Sequence, residues 1–193
     1  MRSDITISAV NLGSGEVTIS SIGWSLSLKK AKYFLSPNER PSIGQKLAEL
    51  GDPRPGVGLH DGLPDLAWVD VPPGSITLEG VDRLFKVKLF RMAKYLVTNA
   101  QSEAFLRADD GYKNKKWRKG MTDHHWDTRP SWREANAPRE TVSWENAVAF
   151  CGWLSHRTDS TIRLPTEWEW QKAATGGDPT REYPWPGKWD ATR

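Results

Sequence analysis

The sequence predicts an α+β fold, rich in loops, with a small antiparallel sheet and about three helices after residue 50. Three observations carry this. The period-two runs are short and are separated by Gly and Pro turns, as in antiparallel ribbons. Three segments open on a Ser or Thr N-cap, at Thr98, Ser143 and Thr166, and continue with helical spacing. Between them, residues 109–139 show neither period. Hydrophobic residues make up 37% of 193, and the mean hydropathy is −0.63, which is low for a self-sufficient globule of that length. The 11 tryptophans offset part of this deficit. Those at 117, 126, 132, 144, 153, 168, 170, 185 and 189 place most of that aromatic surface late in the chain.

Residues 5–10 (ITISAV) and 17–28 (VTISSIGWSLSL) alternate apolar and polar positions around Gly13-Ser14-Gly15, so a β-hairpin is expected there. Residues 36–41 read as a linker. Residues 43–50 (IGQKLAEL) predict two helical turns with Ile43, Leu47 and Leu50 on one face. Gly51-Asp52-Pro53-Arg54-Pro55-Gly56 ends that helix, and a domain boundary is placed near residue 50. Residues 1–50 are thus an N-terminal hairpin appendage and linker, and 51–193 the main domain.

Two strands at 66–71 and 75–78 flank Pro72-Pro73-Gly74 and predict a hairpin. Residues 85–89 (FKVKL) alternate strictly and predict a half-buried strand. Thr98 and Gln101 form a capping box for a helix running to about Ala108, with Ala104, Phe105 and Leu106 on its apolar side. Ser143 caps the next helix, whose buried face is expected at Trp144, Ala147, Val148, Cys151 and Leu154. Ile162 and Leu164 share strand spacing. Pro165, lacking an amide proton, ends that strand. Thr166 with Glu169 is a second capping box, and Gly176-Gly177 stop its helix. Trp168 and Trp170 lie two apart on it and cannot share a face, so one must look outward or towards another segment.

The run Arg163-Leu164-Pro165-Thr166-Glu167-Trp168-Glu169-Trp170, then Ala173-Ala174, Gly176-Gly177 and Tyr183-Pro184-Trp185, resembles the central signature of the formylglycine-generating enzyme (sulfatase-modifying factor) family. Residues 138–144 (PRETVSW) and 147–154 (AVAFCGWL) resemble the segment preceding it, and Val97-Thr98-Asn99 resembles the family's first helix start. The resemblance covers roughly residues 51–193, and the junction before it is similar to those in large bacterial multidomain proteins. It implies a C-type-lectin-like fold, here its N-terminal part only. In complete catalytic relatives it implies copper held by paired cysteines, together with calcium. Those positions belong to a later segment with motifs that this sequence does not contain.

Residue by residue, the chemistry reads plainly. Cys151 is the single thiol, so no internal disulfide exists. It lies on the apolar stripe of its helix and is expected to be packed and inert. Asp123, His124, His125 and Asp127 carry ligand-type groups, but their spacing matches no zinc pattern, and a surface loop is the preferred reading. His60 and His156 are isolated. Lys113, Lys115, Lys116, Arg118 and Lys119 surround Trp117, a combination suited to phosphates and bases. Acidic neighbours make a solvated loop the better reading, and nucleic acid is not expected. The tryptophans are expected mainly to fill a core. The net charge of +3 argues for neither nucleic acid nor a membrane, and no run of about 18 apolar residues occurs. A cytoplasmic location is expected.

These readings give no catalytic, cofactor-binding or metal residues in this chain. The expected function is a sulfatase-modifying-factor-like domain without the family's catalytic cysteines, truncated or split, acting as a non-catalytic binding scaffold for a peptide or protein. The alternative is the frame-supplying half of a copper-dependent formylglycine-generating oxidase acting on a sulfatase cysteine, completed by a C-terminal polypeptide. A third reading is a ligand-binding lectin-fold variable protein.

Overall fold

Pro72 and Pro73 divide the strands on either side of them between two sheets. The computed structural model describes residues 5–6, 39–78, 80–121, 130–185 and 187–189. In chain order the elements are β1 (Ile5–Thr6), α1 (Glu39–Leu50), β2 (Leu59–His60), β3 (Leu63–Pro64), β4 (Trp68–Val71), β5 (Gly74–Thr77), β6 (Leu84–Val87) and β7 (Phe90–Ala93). There follow α2 (Asn99–Arg107), a single 3₁₀ turn (Lys115–Arg118), α3 (Trp144–Thr158), β8 (Ile162–Arg163) and α4 (Glu167–Thr175). The α+β class is as predicted.

β4 pairs antiparallel with β7, Trp68 opposite Ala93 and Val71 opposite Phe90. β5 pairs antiparallel with β6, Ile76 opposite Phe85. The hairpin expected between residues 66–71 and 75–78 is therefore not formed. Neither proline can donate to a ladder and each holds φ near −65°, so the chain turns a corner and leaves β5 to a new partner. The larger sheet has the order β4-β7-β1-β8, with β1 parallel to both neighbours. Ile5–Thr6 thus joins the main sheet. The rest of the predicted N-terminal hairpin lies outside the described residues. α1 begins at Glu39, inside the stretch read as a linker. Ile43 and Leu50 on it are exposed.

Both capping boxes form as predicted. Thr98 accepts from the Gln101 amide while Gln101 accepts from the Thr98 amide, and Thr166 and Glu169 do the same. Ser143 caps α3 by accepting from the Asn146 amide, and Gly176 ends α4 at φ 70°. In β6, Val87 is buried and Phe85 half-buried, but Leu89 is exposed because the strand ends at Val87.

Two apolar clusters result. One joins Phe105 of α2, Phe150, Cys151, Trp153 and Leu154 of α3, and Ile162 of β8. Phe105 and Phe150 meet edge to face, as ring quadrupoles favour, 5.8 Å apart at 85°, and both are tilted against Trp153. The other joins Val71, Ile76, Val87, Phe90 and Met92 under α4, where Trp168 stacks on Phe85 at 4.9 Å. The buried face of α3 is centred on Asn146, Ala149, Phe150 and Trp153, alongside Cys151 and Leu154. Trp144, expected on that face, is 63% exposed at the first helical position.

Polar side chains tie the loops to α2, a feature the apolar periodicity did not announce. Gln101 is wholly buried, and its amide nitrogen donates to the carbonyls of Gly56, Gly58 and Asp65. Thr98 Oγ1 donates to Val57 O at 2.8 Å. Asn99 Nδ2 donates to Trp132 O at 2.7 Å and to Glu134 O at 3.0 Å. Loop carbonyls without secondary-structure partners are satisfied in this way, as burial demands.

Candidate functional site

The family-like signature forms a rigid corner. Pro165 ends β8, Thr166 caps α4, and Arg163 reaches from the strand to the helix. Its guanidinium clasps Glu169 with two parallel bonds, Nη1 to Oε2 at 2.7 Å and Nη2 to Oε1 at 2.6 Å. Glu169 Oε2 also accepts from the Thr166 amide at 2.8 Å. Burial acts to raise the pKa of Glu169, but the bonds from Arg163 and Thr166 outweigh it and hold the carboxyl below its usual range. These groups bond one another, so the corner is a structural clamp. Trp168 on the same helix is packed on Phe85, while Trp170 is 42% exposed, which resolves the opposition of those two positions.

Asp110 is a second junction. Its Oδ1 accepts from Trp153 Nε1 at 3.1 Å, its backbone carbonyl accepts from Trp117 Nε1 at 2.6 Å, and Arg157 lies 3.6 Å from its Oδ2. The indole bond, with the positive charges of Arg157 and Lys116, keeps its carboxyl below the usual range. Residues 109–121 are thereby pinned by aromatics onto α3.

The turn that carries Trp117 is strongly basic. Lys115, Lys116, Arg118 and Lys119, with Met121, line an open cleft of about 400 Å³. Lys116 Nζ sits 4.0 Å from the centre of the Trp117 ring, and the Arg118 guanidinium 4.2 Å from that of Tyr112.

Among the described residues, the other sequence candidates do not converge. Cys151 is buried among apolar groups, as its place on α3 predicts, and burial pushes its thiol pKa up to about 12. His60 is exposed and lies 3.2 Å from Asp61. His156 is exposed with its ring centre 5.5 Å from that of Trp117. Asp123, His124, His125 and Asp127 lie outside the described residues. Among the described residues no three of His, Cys, Asp or Glu are grouped to hold a metal ion, and no helix is long and apolar enough to cross a membrane. The expectation that tryptophans mainly fill the core is corrected in part. Trp153 is buried, but Trp132, Trp144, Trp170 and Trp189 are exposed.

Residues 64–193 match the model of the sulfatase-modifying factor enzyme 1-like domain. The chain is similar to hercynine oxygenase of Mycolicibacterium thermoresistibile, 30% identical over 173 residues, covering 75% of this chain and 37% of that protein. It is 29% identical over 140 residues to the formylglycine-generating enzyme of Thermomonospora curvata, covering 55% of this chain and 44% of that one. It is also 36% identical over 83 residues to the mouse protein named inactive C-alpha-formylglycine-generating enzyme 2, covering 36% of this chain and 25% of that one. The chain spans less than half the length of these curated relatives.

Proposed function

The chain belongs to the sulfatase-modifying factor enzyme 1-like domain family, and we propose that residues 51–193 form the C-type-lectin-like frame of a cytoplasmic module that binds a peptide or protein without oxidising it. The observation that carries this reading is the state of Cys151. A thiol acts as nucleophile or metal ligand only as thiolate, and this one is buried with its pKa pushed up to about 12. The likeness to a relative whose name declares it inactive supports the same reading.

The described residues do not fit a copper or a calcium site. One inward-facing thiol cannot supply a thiolate pair, and no cluster of three His, Cys, Asp or Glu is present among them. The test is to incubate the full chain with a Cys-x-Pro-x-Arg peptide, with and without copper, and to follow the peptide by mass spectrometry. No aldehyde is expected. Its appearance with this chain alone overturns the reading.

A second reading rests on the likeness to a formylglycine-generating enzyme over 140 residues. Here the chain is the frame of a copper-dependent oxidase, and a separate polypeptide brings the thiols. Co-expression with the downstream reading frame tests it. If nothing co-purifies and the isolated chain melts in one sharp transition, this second reading falls.

A further inference from the structure

We infer that the 3₁₀ turn at Lys115–Arg118 is a docking site for an acidic peptide segment, whose carboxylates bind in the cleft formed by Lys115, Lys116, Lys119 and their neighbours. The inference stands apart from the reading of the family frame, because none of these residues belongs to the clamp at Arg163 and Glu169.

Four observations carry it. The turn is held in place: Trp117 is half-buried, donates to Asp110 O at 2.6 Å, and packs over Gly152 on α3. The backbone that carries the cations is therefore held, which removes part of the ordering cost of binding. Next, the charge is only partly balanced among the described residues: Lys116 acts electrostatically on Asp110 without an ion pair. Lys113, Lys115, Lys116 and Lys119 are exposed and form no ion pair with the described residues. The nearby Asp110 is already committed to Trp153 and Arg157.

The geometry then selects among anions. Base stacking needs a free aromatic face. The Trp117 ring carries Lys116 at 4.0 Å and the His156 ring at 5.5 Å, and Tyr112 carries Arg118 at 4.2 Å. Among the described residues of this turn, a nucleic-acid strand finds no free aromatic platform. A lone phosphate is best held by converging backbone amides. Here the Lys116 amide is already bonded to Asn114 Oδ1 at 3.1 Å. What remains is a set of lysine point charges spread along seven residues beside an apolar Met121, over a cleft of about 400 Å³. Such a surface matches carboxylates spaced along a peptide chain.

The test uses the full chain and a rhodamine-labelled hexaglutamate peptide, read by fluorescence anisotropy. Binding is expected at about 50 mM salt, with weakening of roughly fivefold or more at about 300 mM, since exposed charges are screened. The pair K115Q/K119Q should lose about tenfold in affinity, while K86Q/K88Q, which removes equal charge from exposed positions on and beside β6, should change it less than about twofold. Both pairs alter exposed side chains, and unchanged melting temperatures will show that the fold is kept. Absence of binding at low salt overturns the proposal. So does equal loss in both variant pairs, which would mark a net-charge effect. Tighter binding of inorganic triphosphate or of an oligothymidylate than of hexaglutamate overturns the assignment to a peptide.

Discussion

The indole N–H of Trp153 donates to Asp110 Oδ1 at 3.1 Å, joining the most buried tryptophan of the core to a carboxylate at its edge. The apolar body of the ring fills the space between α2 and α3, and its one polar atom needs an acceptor. Asp110 supplies one, and the same residue's carbonyl holds Trp117.

Asp110→Ala should therefore destabilise the chain by about 1–3 kcal/mol, the cost of a buried donor left unsatisfied. Asp110→Asn retains an acceptor oxygen and should cost less. The sign with pH also follows. The folded-state pKa of Asp110 is depressed, so its contribution is complete above the unfolded value, near pH 4, and is lost as pH falls through the folded one. Urea midpoints measured from pH 6 down to pH 2 should show a smaller acid loss in the Asn variant than in the native chain.

The Arg163–Glu169 clamp predicts an asymmetric pair of variants. Arg163→Ala leaves the buried Glu169 carboxylate with Thr166, whose amide donates to Oε2, as its remaining partner among the described residues. Loss of a partner from a buried pair costs about 3–5 kcal/mol, and because Arg163 is partly exposed, about 2–3 kcal/mol is expected. Glu169→Gln keeps an acceptor for the Thr166 amide and should cost less. Chemical denaturation of the two variants, compared at one pH, checks the order.

Two glycines should differ in their tolerance of alanine. A β-carbon at Gly111 would overlap the carbonyl oxygen of Phe105, which already accepts from the Tyr112 amide at 3.0 Å. Backbone cannot step aside, so Gly111→Ala should cost roughly 3 kcal/mol or more, the upper end for overpacking. At Gly177, φ is +86° and the overlap is with Lys172 Nζ, the end of a flexible side chain that donates to Gly176 O at 2.9 Å. There the left-handed backbone sets a cost of about 1–2 kcal/mol. The costs of Gly177→Ala and Lys172→Ala should be less than additive in a double-mutant cycle, because the second change removes the collision.

Cys151 predicts slow chemistry and an alkaline limit. Native protein at pH 8 should react with a thiol reagent about a hundredfold more slowly than protein in guanidinium, because burial hides the sulfur and disfavours its thiolate. Its folded-state pKa is raised, so the contribution is intact below the unfolded value, near pH 8.5. It declines as pH climbs from there towards about 12. Cys151→Ala should show a smaller alkaline loss in thermal melts.

Elements whose causes lie within a few residues were legible from the chain alone. Thr98 with Gln101, Ser143 with Asn146, and Thr166 with Glu169 cap their helices through partners three positions away, so spacing is enough to read them. Pro165 and Gly176 act on their own dihedrals and needed nothing more distant. The buried place of Cys151 followed from its helical spacing, and the family-like motifs showed the kind of domain.

Tertiary structure decided whatever depended on a partner far along the chain. The two strands beside Pro72-Pro73 look like a hairpin in sequence, but Val71 meets Phe90 and Gly74 meets Val87 because each finds its apolar neighbours there. Trp144 has the spacing of a core residue yet lies at the helix entrance, beyond the reach of Phe105 and Ile162. Gln101 reads as a cap and is also the buried donor for three loop carbonyls between residues 56 and 65. The cations around Trp117 became a cleft only once that ring was seated on α3. A pattern along the backbone records which side chains prefer burial; the surfaces that bury them are set by contacts between distant segments, which no local spacing contains.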